Sequence, residues 1–259
     1  MEVHHAHQPS HKKKWTEYLL EFLMLFLAVF LGFLAENQRE HLVERHRAKD
    51  YAKSFLSDLQ SDTSEIRSAL ESENFRIGCI DSIIAVSNVT KDHSTVPGKF
   101  YYYSRFVSNL YTLDWNNSTM NQLVQSGNLR LFKNKELVQK INAYYAEQQI
   151  NNRNSQISHE TRMKAADLRD KILQSRYYAP FTNFDFMKEQ KAHVFLPAAD
   201  SLMQIQLPLT KDAVQYMDSY VNLLADWSWR LKFYEKSYPA LIEKVKEIMK
   251  ILKDDYNLD

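Results

Sequence analysis

Glycine is scarce in this 259-residue chain, with four residues at positions 32, 78, 98 and 127, and proline is hardly commoner at six. Both make tight turns cheap, and β-rich folds need many such turns. Their scarcity predicts few, long helices with few connections. It also nearly excludes a glycine-rich phosphate loop. Cysteine occurs once, as Cys79, so an internal disulfide is excluded and either redox compartment remains open. An excess of one charge is lacking too. The formal net charge is +1, which gives no electrostatic reason to expect a nucleic-acid partner. There is no H-E-x-x-H, G-x-S-x-G or C-x-x-C pattern. The residues therefore point to no catalytic group, cofactor or metal set, and the reading is of a protein that is not an enzyme.

The chain does hold one long greasy run, YLLEFLMLFLAVFLGFLA (18–35), apolar apart from Glu21. A spanning helix needs about 20 apolar residues at ~1.5 Å each. The uninterrupted stretch from Phe22 to Ala35 covers roughly 21 Å at that rise. Tyr18 to Glu21 and the flanking Trp15 bring it to working length. Trp15 and Tyr18 suit one headgroup belt as interface anchors, and Glu36, Asn37 and Gln38 end the run abruptly at the other side. A cleaved signal peptide is the main competitor, with Lys12, Lys13 and Lys14 as its basic region. No small-x-small cleavage site follows Gly32, however, and helix-favouring charged residues come at once. The expected organisation is a basic, His-rich disordered tail over 1–14, a transmembrane helix over 15–37 and a helical bundle domain over 38–259. Arg39, Arg45, Arg47, Lys49 and Lys53 nearly balance the three lysines across the run. Because long domains translocate largely regardless of charge, the short lysine tail favours a cytoplasmic N-terminus and a periplasmic bulk domain.

Beyond the run, Ala52, Leu56, Leu59, Thr63, Ile66, Leu70, Glu73, Ile77, Ile80 and Ile84 recur in steps of four and three. That spacing is the seam of a coiled coil or long bundle helix, with Thr63 and Glu73 as polar interruptions. No proline lies between the apolar run and Val96, so one helix can leave the bilayer and run on, with Gly78 as a potential bend and Pro97-Gly98 as its terminating turn. A second helix is expected from about Phe100 to Leu113, on the spacing of Tyr103, Phe106, Val107, Leu110 and Leu113. Ser118 suits an N-cap for a short helix through Ser126, with Gly127 just past its end. Asn134 suits the next cap, for a helix reaching about Gln174. Its middle, EQQINNRNSQ (147–156), is very polar, and Ile150, Ile157, Ala165, Leu168 and Ile172 supply only a thin stripe. Residues 177–210 read as a proline-containing connection whose aromatics pack on the bundle. A last helix is expected from Lys211 to Asp254, kinked or restarted at Pro239. The fold class is thus all-α: an N-terminal transmembrane helix continuing into an elongated antiparallel helical bundle.

Two blocks carry a resemblance. The first is KKKWTEYLLEFLMLFLAVFLGFLAENQREH (12–41) with YAKSFLSDLQSDT (51–63). It places Glu21 early in the run, Gly32 eleven residues later and Asn37 at the exit. The second is STMNQLVQSGNLRLFKNKELVQKINAYY (118–145), with its S-G-N-L element, K-N-x-E-L element and double tyrosine. Together they resemble a family of uncharacterised single-span proteins from Gram-negative bacteria, known as a domain of unknown function. The exit sequence Ala35-Glu36-Asn37-Gln38 departs from that family's usual run of asparagines and a tryptophan. The resemblance implies a membrane-anchored helical protein and no reaction.

Four groups of residues are candidates for function. Glu21, Leu25, Ala28, Gly32 and Ala35 share one helical face that carries the acid and the small residues of the run. Ala28-x-x-x-Gly32 is a small-xxx-small motif that lets two helices approach closely, so this face is the candidate for span packing and homo-oligomerisation. A carboxylate inside the span costs about 2.5–3.5 kcal/mol at the midplane on insertion scales. An acid that snorkels to the headgroups beside small residues placed by chance is the bland alternative. His4, His5, His7 and His11 could hold a transition metal, but a disordered tail without fixed geometry is the simpler reading. Cys79 reads as buried and inert. Trp227, Trp229, Tyr216, Tyr220, Phe233, Tyr234 and Tyr238 read mainly as core.

The chain is therefore read as a membrane-anchored scaffold, adaptor or sensor-like interaction protein. Its expected partners are the lipid bilayer, further copies of itself and other membrane or periplasmic proteins. A membrane-perturbing effector acting through span oligomers and an enzyme with an unrecognised site are the competing classes.

Overall fold

The computed structural model describes residues 14–90, 94–108, 113–181 and 203–258. Helix α1 runs from Trp15 to Val89, followed by strand β1 (Thr95–Pro97), α2 (Gly98–Val107) and α3 (Ser118–Gln125). A 3-10 turn (Asn128–Leu131) leads into α4 (Lys135–Ile172). A second 3-10 turn (Ser175–Phe181), strand β2 (Gln206–Pro208), α5 (Ala213–Leu231) and α6 (Tyr234–Tyr256) complete the described chain. It is a helical fold with a long first helix that continues into a bundle. It divides into two compact units, Met1–Tyr51 and Ala52–Asp259. The histidine tail, His93, Leu110, His193 and the aromatics Phe184, Phe186 and Phe195 lie outside the described residues.

The described part of the first unit is helical from Trp15 onward, with its apolar side chains bare. Every large apolar residue from Trp15 (79% exposed) to Leu34 (39%) remains exposed in the fold. Phe22, Phe26 and Phe30 stack along one side, with ring centroids 6.3 and 5.9 Å apart. Neither the exit at Asn37 nor Gly78 interrupts the helix.

In the second unit α1 contributes a broad buried face. Ala52, Leu59, Ile66, Glu73 and Ile80 are buried, as are Phe55, Asp62, Ala69, Arg76 and Ile83, each series spaced by seven residues. Leu70 and Ile84, expected in the seam, are only half-buried, and Ala69 and Ile83 take the inner positions. The reason is geometric: a helix flanked on two sides buries a stripe of more than 100°, wider than a two-residue seam. Trp227, Tyr220, Phe100, Leu123 and Ile141 are among the largest fully buried side chains of the core.

Several ends differ from expectation. Pro97-Gly98 does not terminate α1, which stops at Val89. Pro97 closes β1 with φ −57° and ψ 144° and stands before α2, where its missing N–H is no loss. Helix α2 ends at Val107, and Leu113 lies outside any helix. Asn134 caps α4 as expected, accepting from the backbone N–H groups of Glu136 (3.0 Å) and Leu137 (3.2 Å). Gly127 takes φ +67° just beyond α3, also as expected. The last helix breaks at Lys232–Phe233, and Pro239 lies inside the restarted α6.

The unforeseen element is the antiparallel pair β1–β2, with Val96 opposite Leu207. It is clamped from both sides. The Tyr101 hydroxyl donates to the Pro208 carbonyl (2.6 Å) and accepts from the Gln174 N–H (3.0 Å). Tyr178 is buried with its ring 5.6 Å from that of Tyr101. Helices α4 and α6 run antiparallel, joined by Asn134 to Asp255 (2.9 Å), Lys140 to Glu247 (2.8 Å) and Lys244 to Glu147.

Candidate functional site

The span-packing residues Glu21, Leu25, Ala28, Gly32 and Ala35 all lie on α1 and are all exposed. At about 100° per residue they fall within roughly 80° of the helix circumference. A Cβ added at Gly32 would meet nothing within 4 Å. Trp15 (79% exposed) and Tyr18 stand at one end of the same bare segment. Among the described residues one helix is long and apolar enough to cross a membrane, and it is this one, near the N-terminus.

Within the bundle, α1 buries four ionisable residues: Asp58, Asp62, Glu73 and Arg76. A buried charge must be paired and hydrogen-bonded to be tolerated. Asp58 accepts the backbone N–H of Thr119 (2.9 Å) and the hydroxyl of Ser118 (3.2 Å). It thus caps α3 from a neighbouring helix, where a carboxylate suits the positive end of the dipole. The Asn117 side chain in the cap position makes no cap bond, and Ser118, expected as the cap, is the first helical residue. One turn on, Asp62 accepts the N–H of Asn116 (2.8 Å), the Tyr144 hydroxyl (2.6 Å) and the Gln148 amide (3.2 Å). Burial pushes the Asp62 carboxyl above the usual carboxylate range, and the Tyr144 and Asn116 bonds oppose that rise. Burial and the Asp62 charge push the Tyr144 phenol far up as well, so it stays protonated as the donor.

Three turns further, Glu73 and Arg76 form an ion pair whose side chains are 10% and 3% exposed. The Arg76 guanidinium also lies over the Trp227 ring, 5.5 Å from its centroid. Burial raises the Glu73 carboxyl, and Arg76 opposes the rise. Sequence reading found Glu73 but missed Asp62 and Arg76. The signal was present: 55, 62, 69, 76 and 83 form a second seven-residue series beside the first.

A small cleft opens beside Glu73. Its volume is about 20 Å³, and Trp115, Asn151, Ser155, Tyr234 and Tyr238 contribute to its walls. The Trp115 indole N–H donates to Asn152 (3.0 Å), fixing the 113–117 segment on α4. Cys79 is buried, and desolvation pushes its thiol up to about 12, as befits an unreactive cysteine. The aromatic stretch divides: Tyr220, Trp227, Tyr234 and Tyr238 are core, whereas Trp229 (76%) and Phe233 (64%) are exposed. Among the described residues no cluster of three His, Cys, Asp or Glu is arranged to hold a metal.

Compared with protein-family models, curated proteins and solved structures, the chain matches none.

Proposed function

We propose that this is a membrane-anchored interaction protein, a scaffold, adaptor or sensor-like module whose helical bundle stands outside a bacterial inner membrane. The observation that carries the reading is the bare apolar surface of α1. Monomeric soluble proteins rarely expose contiguous apolar patches beyond a few hundred Å², yet here the large apolar side chains from Trp15 to Leu34 are exposed among the described residues. Lipid is the medium that makes such a surface favourable. The resemblance of residues 12–41 and 118–145 to single-span bacterial proteins supports the same reading. The three tail lysines support a cytoplasmic N-terminus.

The same proposal assigns homo-oligomerisation to the face of Glu21, Leu25, Ala28, Gly32 and Ala35. The open space at Gly32 suits the test, because a Cβ added there meets nothing within 4 Å. Chemical cross-linking of the full chain in native membranes should give a dimer or higher species that Gly32→Ile removes. Equal cross-linking of the variant would remove the packing face from the proposal.

A further inference from the structure

Helix α4 breaks the usual polarity rule in its middle. Gln148 is buried and Asn151, Ser155 and Ser158 are half-buried, while Ile150 and Ile157 are each 47% exposed. Between Gln149 and Lys164 no residue of α4 is buried. The stripe expected through Ile150 and Ile157 therefore faces out, and polar side chains face in. Apolar side chains normally go inward because burial stabilises them. An inverted segment fits a space with polar groups in its walls.

That space is the cleft beside Glu73. Asn151, Ser155 and Ser158 line it from α4, Glu73 from α1, Tyr234 and Tyr238 from α6, and Trp115 from the 113–117 segment. Glu73 is the sole charged side chain among its lining residues. Arg76, which bonds the same carboxylate, is not among them and is turned to the Trp227 ring. The cleft thus faces the negative end of the pair. Asn151 donates its amide N–H to the Glu147 carbonyl (2.9 Å), leaving its own carbonyl oxygen as an acceptor. The hydroxyls of Ser155 and Ser158 can accept as well. Three aromatic rings complete the walls, and aromatic faces attract cations. A volume of about 20 Å³ suits a group the size of one water, which is also the size of an –NH₃⁺ head. With Glu73 in the lining and no Arg or Lys, the cleft disfavours an anion.

We propose that this cleft binds the ammonium head of a small primary amine, with the remainder of the ligand directed out through the mouth. The Glu73 carboxylate, the Asn151 carbonyl and a serine hydroxyl take the three N–H donors. The rings of Trp115, Tyr234 and Tyr238 supply the cation-attracting walls. The site lies wholly within the Ala52–Asp259 unit and does not involve the span.

The test uses the full-length protein in detergent with ethylammonium chloride as probe, against sodium chloride at equal ionic strength and against ethanol. Saturation-transfer NMR should show transfer to the ethylammonium methyl protons. The melting temperature should rise by about 2–4 °C near saturation relative to sodium chloride. Ser155→Ile, which fills the cleft without touching the Glu73–Arg76 pair, should abolish both effects. Should that variant melt well below wild type, Asn151→Leu serves in its place with the same expectation. Equal melting in ethylammonium and sodium salts, an equal response to ethanol, or undiminished transfer in the filled variant would each overturn the proposal.

Discussion

The Tyr144 hydroxyl on α4 donates a 2.6 Å hydrogen bond to Oδ2 of Asp62 on α1, across 82 residues of sequence. Asp62 is 1% exposed and can reach little water, so its bonds must come from within the protein. Hydrogen bonds to charged groups contribute about 1.5–3 kcal/mol, and an orphaned buried acceptor costs a similar amount. Tyr144→Phe should therefore lower stability by about 2 kcal/mol, a melting shift of roughly 4–8 °C for a domain of this size. Thermal unfolding followed by circular dichroism checks this. An unchanged melting temperature would mean that the Asn116 and Gln148 bonds satisfy Asp62 alone.

The same carboxylate sets a pH dependence of unusual sign. The folded Asp62 holds its proton above its ordinary value of 3.8, because burial disfavours the charged form. The folded state therefore binds more protons than the unfolded state in the window above 3.8, and stability falls as pH rises through that window. Glu73 behaves alike above its ordinary 4.5. The contribution is fully present below the ordinary value and lost as pH rises through the raised one. Melting temperatures between pH 4 and 8, wild type minus Asp62→Asn, should decline with rising pH and then level. A flat difference would contradict the buried, protonation-favouring site.

Gly127 tests the backbone alone. Its φ of +67° is left-handed, and a Cβ there would meet nothing within 4 Å. Gly127→Ala should cost about 1 kcal/mol from conformation only, and Gly127→Asn less, since asparagine tolerates this region. Equal melting of both variants and wild type would contradict the left-handed turn.

Cys79 should resist a maleimide reagent in the folded protein and react on denaturation. Its thiol is 1% exposed and pushed up to about 12, so both access and thiolate are lacking. Rapid labelling of the native protein would contradict the core position.

What was legible in the sequence was local. Asn134 and Gly127 could be read because a cap and a left-handed turn depend on the residue and its immediate neighbours. The all-helical class followed from scarce glycine and proline. What was hidden depends on distant partners. Helix α3 takes its cap from Asp58, 61 residues away, so Ser118 looked like the cap when it was not. Strands Thr95–Pro97 and Gln206–Pro208 have three residues each and end in proline, too short to display a period of two. Asp62 and Arg76 give no sequence signal for burial by residue type, because charge is expected outside and only a pairing partner in space makes it tolerable inside. Ile150 and Ile157 mislead for the mirror reason, since apolar residues are expected inside and both are exposed. Helical spacing alone puts Glu21, Leu25, Ala28, Gly32 and Ala35 on one face, and their packing role stands as a proposal, whereas the Glu73 cleft requires three helices and a loop to be brought together.

The account rests on lipid covering the bare face of α1. The most direct measurement is alkaline carbonate extraction of membranes from cells expressing the full chain, followed by ultracentrifugation. The account predicts that the protein stays in the pellet and moves to the supernatant only with detergent. Release by carbonate alone would contradict it.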